Sequence, residues 1–217
     1  MKIVVTAGPT REPIDPVRFI SNRSSGKMGY ALAQAALESG HEVTLISGPT
    51  ALTPPSAAKF VPITTSDELF DAVQEHVREC DVLVMCAAVS DYKPKTFASQ
   101  KFEKRDGEFA LPLTATRDIL ASLPREDRSY LVVGFAAQTH DLEANARRKL
   151  LAKNCDMIVA NDVSRSDRGM ESDDNEVTIF FREEEPRMIS CAPKNIIARE
   201  ILKIVFAKAQ KSLTKNL

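Results

Sequence analysis

The chain opens on a short apolar run, Ile3-Val4-Val5-Thr6, and is then polar over positions 8–29. From Met28 the period changes. Met28, Ala31, Leu32, Ala35 and Ala36 recur at i, i+3, i+4, i+7 and i+8, which predicts a helix with Gly40 as its C′ glycine. Val43-Thr44-Leu45-Ile46 is a second apolar strand, so positions 1–50 read as a βαβ unit. Positions 48–62 are rich in proline and small residues and predict a loop, with one short strand at 60–63. Thr65 and Glu68 have capping-box spacing ahead of a helix that carries Leu69, Val73 and Val77. The continuous apolar run at 81–88 predicts a parallel strand covered on both faces.

Positions 101–113 break the alternation: Lys101-Phe102-Glu103 and Phe109-Ala110-Leu111 flank Asp106-Gly107, a hairpin signal. Thr116 is placed to cap a short helix over 118–123. A strand at 130–135, a helix at 141–153 and a strand at 157–160 follow. Positions 164–175 read as a mobile polar loop, 176–181 and 187–191 as an antiparallel pair, and 193–208 as a last helix before a frayed Lys-rich tail. The pattern predicts one α/β domain over 1–217: a doubly wound, mostly parallel Rossmann-like sheet with a β-hairpin insertion and a C-terminal antiparallel strand pair.

Such a sheet brings polar loops together at the carboxyl ends of its strands. Four qualify here: 8–29, 87–101, 134–140, and the segment from 161. The first feeds a helix N-terminus, where unpaired N–H groups attract phosphate or carboxylate. It is neither a P-loop, since Met28 follows Gly26-Lys27, nor a dinucleotide fingerprint, since only Gly8 precedes a long insertion. A loop of that length is functional or disordered. Ile14, Val17, Phe19 and Ile20 predict that apolar anchors order it.

Composition narrows the picture modestly. With 217 residues, 43% hydrophobic and 27% charged, the chain can bury a substantial core. Its 29 basic and 30 acidic side chains leave a net charge of −1, so no global field favours nucleic acid or membrane. No stretch reaches the roughly 18 continuous apolar residues of a membrane helix, and the N-terminus lacks a signal peptide's apolar region. Cys80, Cys86, Cys155 and Cys191 show no C-x-x-C spacing and predict buried reduced thiols of a cytoplasmic protein. Three scattered histidines give no metal-ligand spacing, so no protein-held metal is expected. Lys149 and Lys153 lie four apart on one helix, so both ammonium groups project from the same face. Such a pair is ordinarily a solvated surface, unless a polyphosphate needs its charge compensated.

The segment GPTREPIDPVRFISNRSSGKMG resembles the signature loop of phosphopantothenate–cysteine ligase (phosphopantothenoylcysteine synthetase) of the bacterial CTP-dependent type. Similar segments recur at CAAVSDYKP, KFEK, GFAAQT and ANDVS, so the resemblance covers nearly the whole chain. It implies nucleotide contacts at Ala87, Asp91, Lys101, Thr116, Arg117, Asp118, Ile119, Phe135, Lys149 and Lys153. It implies that Asn22 contacts the phosphopantothenoyl acyl group, that Asn161 binds substrate, and that Asn22 and Lys101 are catalytic. An uncharged amide donor suits a carbonyl under attack, because it stabilises developing negative charge without competing as a nucleophile.

The resemblance further implies CTP as co-substrate, Mg²⁺ with the triphosphate, and phosphopantothenate and L-cysteine as the coupled substrates. It implies a homodimer, for which the strand pair around 177–181 offers a self-association element. In many relatives the domain lies behind a flavin-dependent decarboxylase with no counterpart in these residues, which implies a free-standing ligase or an excised domain with a separate decarboxylase as partner. The chain departs from the family pattern twice: Glu103 interrupts a usual K-x-K-K, and Thr116-Arg117 replaces Asn-Pro ahead of Asp118-Ile119. Two other classes share the sheet. A short-chain reductase needs Y-x-x-x-K, but Gln34, Thr96 and Gly134 follow the three tyrosines at that spacing. A nucleotide-binding regulatory module would use the lysines and leave the long loop without a purpose.

Overall fold

The computed structural model describes residues 1–104, 106–126, 128–162 and 172–215, with side chains described as far as Gln210. The elements, in chain order, begin with β1 (Lys2–Ala7), β2 (Arg11–Pro13), β3 (Phe19–Ser21), α1 (Lys27–Glu38), β4 (Glu42–Ser47) and β5 (Lys59–Pro62). Then come α2 (Ser66–His76), β6 (Val82–Met85), β7 (Tyr92–Pro94), β8 (Leu113–Ala115), α3 (Ile119–Ser122) and β9 (Leu131–Gln138). The chain continues with α4 (Leu142–Ala152), β10 (Met157–Asp162), β11 (Asp174–Phe181), β12 (Arg187–Pro193) and α5 (Lys194–Lys215).

Eight strands form one sheet in the order β12-β11-β10-β9-β6-β1-β4-β5. The six from β10 to β5 are parallel and the last two antiparallel, as the alternation of strand and helix predicts. The period-2 alternation within the strands divides the core. Ile3, Val5, Val82, Val84, Met157 and Val159 face α1 and α5, with Leu32, Ala36, Ile197 and Ile201. Val4, Leu83, Ile158 and Ala160 face the other side, with Leu69 and Val73 of α2, Ile119 of α3 and Leu150 of α4. Because both faces are covered, the strands read as continuous apolar runs. Chain order reverses between β1 and β6, the switch point at which open α/β sheets bind ligands.

The capping box forms as read: the Thr65 side chain accepts from the Glu68 amide at 3.2 Å, and Glu68 accepts from the Thr65 amide at 3.2 Å. The expected β-hairpin insertion is present as the antiparallel pair of β7 with β8, which lies against β2. Its strands are not the expected ones: the described residues of 101–111 form no ladder, although Gly107 turns with φ +89° and the Phe102 and Phe109 rings meet at 5.2 Å. A two-stranded ribbon gains stability only when something covers it, and positions 101–111 are mostly exposed. Other expectations need correction.

The cap of α3 is Asp118, whose Oδ1 accepts from the Ala121 amide at 3.0 Å, and not Thr116. Strand β11 begins at Asp174, inside the stretch read as loop; positions 164–171 of that reading lie outside the described residues. Helix α5 continues to Lys215, past the expected frayed end. Within the C-terminal pair, β11 is flanked by β10 and β12, and β12 is the sheet's edge on that side. Of the four free cysteines, Cys80 and Cys155 are buried, whereas Cys191 is exposed.

Candidate active site

The loop after β1 and the loop after β6 flank the switch point, and a set of short polar bonds fastens one to the other. Buried Thr6, near the end of β1, accepts at Oγ1 from the amides of Cys86 and Ala87, both at 3.1 Å. The Ala88 amide donates to the Gly8 carbonyl at 2.9 Å, and the Thr10 amide donates to the Ala88 carbonyl at 3.2 Å. Thr10 Oγ1 accepts from the Ser90 amide at 3.0 Å, and Ser21 Oγ donates to the Thr10 carbonyl at 2.7 Å. Asn22 closes the set: its Nδ2 donates to the carbonyls of Ala88 at 3.1 Å and Val89 at 3.0 Å. Both amide hydrogens are thereby engaged. The amide-donor role expected for Asn22 requires one of them to be released, while its Oδ1 stays available as an acceptor.

The same region is held from the far side by Thr116, whose hydroxyl donates to the Ser90 carbonyl at 2.7 Å and whose amide donates to the Asp91 carbonyl at 3.0 Å. Gly26 is the N-cap of α1 at φ +78°, a backbone conformation that favours glycine, and its Hα side faces Thr50 Cγ2 where a Cβ would sit at 2.7 Å. The amide end of α1 is thereby open toward the crevice.

A cavity of about 700 Å³ lies over these strand ends. Of the twelve residues singled out in the sequence, eleven line it: Asn22, Ala87, Asp91, Thr116, Arg117, Asp118, Ile119, Phe135, Lys149, Lys153 and Asn161. Lys101 does not. It lies in a separate cavity of about 630 Å³ with Arg18, Phe102, Glu103 and Lys104, because the segment that carries it is turned outward by the β7–β8 pair. Sequence reading had not assigned Ser24, Lys27, Cys86, Asn175 and Lys194, which also line the main cavity. For Lys27 the signal was present, since Gly26-Lys27 opens a helix. Lys194 stands at the start of α5, remote in sequence from every motif.

The electrostatics of the site follow from burial. On α4, Lys149 is half-buried, and desolvation together with the neighbouring Lys153 charge lowers its pKa. Lys153 pairs with Asp118, so the carboxylate that caps α3 also holds the lysine. Cys86 is pushed up to about 12 by burial, so its thiol stays protonated and is no nucleophile at neutral pH. Arg117 bridges to Asp67 of α2 at 3.2 Å and stacks over the Phe70 ring at 3.9 Å, which fixes the segment before α3. Asn161 Nδ2 donates to Asn175 Oδ1 at 3.4 Å, tying β10 to β11 on the cavity floor. Among the described residues, no three His, Cys, Asp or Glu side chains converge as a metal cage. No helix of the described residues is long and apolar enough to cross a membrane. What the arrangement offers is a rigid crevice with fixed carbonyls, an open helix N-terminus and lysines, suited to a phosphorylated ligand.

Residues 1–208 match the family described as the DNA/pantothenate metabolism flavoprotein C-terminal domain. Over 211 residues, 97% of the chain, the sequence is 45% identical to the coenzyme A biosynthesis bifunctional protein CoaBC of Bacillus subtilis (strain 168). The match takes in 52% of that relative, so the chain spans about half the length of the curated relatives it matches. The solved C-terminal domain of a CoaBC protein superposes with a TM-score of 0.82 at 40% identity, covering 97% of this chain and 96% of that one. A Cab2 variant in complex with phosphopantothenate-cysteine superposes with a TM-score of 0.83 at 18% identity, covering 99% and 88%, and speaks for the fold.

Proposed function

The chain belongs to the family of the DNA/pantothenate metabolism flavoprotein C-terminal domain, and from that premise we propose that it is a ligase of coenzyme A biosynthesis. In this reading it couples 4′-phosphopantothenate to L-cysteine at the expense of CTP. The observation that carries it is the crevice at the switch point, where the residues matching the ligase motifs meet, Lys101 excepted, in a chain 45% identical to a coenzyme A biosynthesis protein.

A carboxylate does not acylate an amine until its oxygen is made a leaving group. In the first step a phosphopantothenate carboxylate oxygen attacks the α-phosphorus of CTP. The bond from that phosphorus to the bridging oxygen breaks, and pyrophosphate leaves with the electron pair. In the second step the cysteine amine attacks the acyl carbon. The acyl C–O bond breaks, CMP leaves, and the amine loses a proton as the amide forms.

The chain's own contribution is positioning and charge. Lys149 and Lys153 compensate the phosphate charge that builds during the first step. Lys101 joins them only if its segment swings from the outer cavity toward the crevice. Asn22 and the carbonyls of Ala88 and Val89 fix the wall against which the acyl group lies. Mg²⁺ would arrive on the triphosphate, whose oxygens would supply most of its ligands; Asp91, a carboxylate in the cavity lining, would be the residue to hold it, and the ion would supply neutralisation of the phosphate charge. A homodimer and a flavin-dependent decarboxylase as fused or separate partner complete the reading.

The deciding measurement is pyrophosphate release by the purified chain with Mg²⁺, phosphopantothenate and either CTP or ATP, with and without cysteine. Release with CTP that depends on phosphopantothenate, sustained only when cysteine is present, is the expected result. Release with ATP and none with CTP would overturn the cytidylate, and release with neither would overturn the ligase.

A further inference from the structure

Helix α4 is thinly seated by apolar packing. Of its eleven residues only Ala146 and Leu150 are buried, and Leu151 next to them is 62% exposed. Yet its C-terminal end carries Lys149 in the last turn and Lys153 as C-cap, both in the crevice lining. Like charges one turn apart oppose each other, and the Lys153 charge adds to burial in lowering the pKa of Lys149. Something besides the apolar face has to hold this end.

Two arginines do so from behind the cavity. Arg182 follows the last residue of β11 and is half-buried. Its Nη2 donates to the Leu150 carbonyl at 3.2 Å and its Nε to the Cys155 carbonyl at 2.8 Å. Arg128 lies ahead of β9 with its side chain 4% exposed. Its Nη1 donates to the Asn154 carbonyl at 2.7 Å and its Nη2 to Asp156 Oδ2 at 2.5 Å. That carboxylate oxygen also accepts from the Val132 amide at 2.7 Å, which ties the turn to β9. Between these bonds the chain reverses at Asn154, φ +53°, whose Nδ2 donates to the Leu123 carbonyl at the end of α3 at 3.4 Å. Neither arginine lines the crevice.

A guanidinium withdrawn from water is tolerated where acceptors match its donors, and here two of them are directed at one turn. Each grips two acceptors with a planar fork, which fixes direction as well as distance. The dipole of α4 favours cations at this end. Because Lys149 and Lys153 leave the helix beside the gripped turn, its orientation sets where their ammonium groups stand.

We infer that Arg128 and Arg182 are positioning residues: by holding the carbonyls of Leu150, Asn154 and Cys155 they aim Lys149 and Lys153 at the phosphates of a bound nucleotide. The inference rests on the ligase reading for the nucleotide, and adds two residues outside the cavity on which binding depends. Charge compensation works through preorganisation, so a shift of about 1 Å in the lysines forfeits much of it.

The test uses the whole chain with Arg182→Lys and Arg128→Lys, each checked by circular dichroism and thermal melting. Both substitutions keep the positive charge and lose the fork. Arg182→Lys, at the more open position, decides the matter should Arg128→Lys fail to fold. Calorimetric titration with CTP or ATP and Mg²⁺, without phosphopantothenate, reads binding with no turnover. The expected Kd is about tenfold weaker than native for whichever nucleotide the native chain binds. The same titration in a Lys149→Gln/Lys153→Gln chain, at millimolar nucleotide, separates positioning from general loosening. There Arg182→Lys should change Kd by less than about twofold, because the groups it aims are gone.

A tenfold loss in both backgrounds would overturn the inference, since the arginine would then act without the lysines. Folded variants that bind as the native chain does would overturn it too. Failure of the ligase reading shows separately: the expected binding pattern without pyrophosphate release keeps the positioning role and removes the ligase. A native chain that binds neither nucleotide overturns both.

Discussion

The two long excursions beside the switch point are built on opposite terms. In the loop from Gly8 to Gly26 the fully buried side chains are polar: Thr10, Glu12 and Asp15 are buried, whereas Ile14 and Ile20 are half-buried, Val17 is 61% exposed and Phe19 47%. Glu12 Oε1 accepts from the Ser66 amide at the head of α2 at 2.9 Å. Asp15 accepts from the amides of Val17 and Arg18, both at 2.9 Å, from the Phe102 amide at 3.2 Å, and from the Arg18 guanidinium. The segment from Lys95 to Pro112 has little of this. It exposes Phe97 and Phe109, and it attaches to the first loop through the Asp15–Phe102 bond, the Arg18–Phe102 bond and Ala98 N to the Ile14 carbonyl at 3.0 Å. A loop with few buried apolar side chains is therefore fixed when its buried polar groups find partners, and its neighbour is steadied by hanging from it.

The comparison breaks most visibly at the root of the fixed loop. A Cβ on Gly48 would stand 1.8 Å from the Pro9 carbonyl oxygen, a backbone atom that cannot swing aside. Gly48→Ala should therefore destabilise the fold by about 3 kcal/mol, read as a lower urea midpoint with an unchanged slope. Stability within about 0.5 kcal/mol of native would mean that Pro9 and the loop it begins are not locked in place. Thr6→Val keeps volume and removes the acceptor shared by the Cys86 and Ala87 amides. It should cost about 2 kcal/mol, close to 4–8 °C in Tm for a domain of this size, and, under the proposed function, weaken CTP binding as the β6 loop loosens. A native melting curve would show that those amides find other acceptors.

How much of this was legible in the sequence follows the same divide. Whatever rests on near neighbours was readable: the Thr65–Glu68 box, the apolar run into Met85, the period of α1 and the alternation of strands with helices. The motif residues told where the crevice lies, since eleven of the twelve line it. The lock was not readable, because Thr6 and Thr10 find their partners some eighty positions away, and Asp15 finds Phe102 at a similar distance. The expected apolar anchors divide: Ile14 and Ile20 are half-buried, whereas Val17 and Phe19 face solvent. Lys101 stands apart from the crevice for a related reason. The Asp106-Gly107 turn is real, but a local turn signal cannot reveal that β7 takes Leu113–Ala115 as its partner and turns the intervening residues outward.

A smaller effect separates the loops by pH. The Arg18 guanidinium beside Asp15, helped by the surrounding amides, holds its carboxyl far below the ordinary 3.8. A carboxyl depressed in the folded state contributes stability that is present above its unfolded value and lost as pH falls through the folded one. Native chain and Asp15→Asn should therefore differ in urea midpoint near neutrality, and the difference should shrink steadily below pH 3.8. Parallel curves over that range would mean that Asp15 does not clasp the two loops through its charge. The native chain should also show slower hydrogen exchange than the variant at the Phe102 amide, which donates to Asp15.

The smallest effect on stability is expected at Lys101, and it sharpens the comparison most. Lys101 is exposed, lies in the outer cavity and stabilises nothing that the fixed loop needs. Lys101→Gln should leave Tm within about 1 °C of native. If the proposed ligase mechanism holds, the same substitution slows acyl-nucleotide formation about a hundredfold in a single turnover, the usual loss when one donor to developing charge is removed. Stability and chemistry would then be separated between the two loops, one fixed by buried polar pairs and the other free to carry a charge to the reacting phosphates. A fall in Tm would show that the outer segment is held through this lysine. An unchanged single-turnover rate would remove Lys101 from the reaction and leave the charge compensation to Lys149 and Lys153, which already line the crevice.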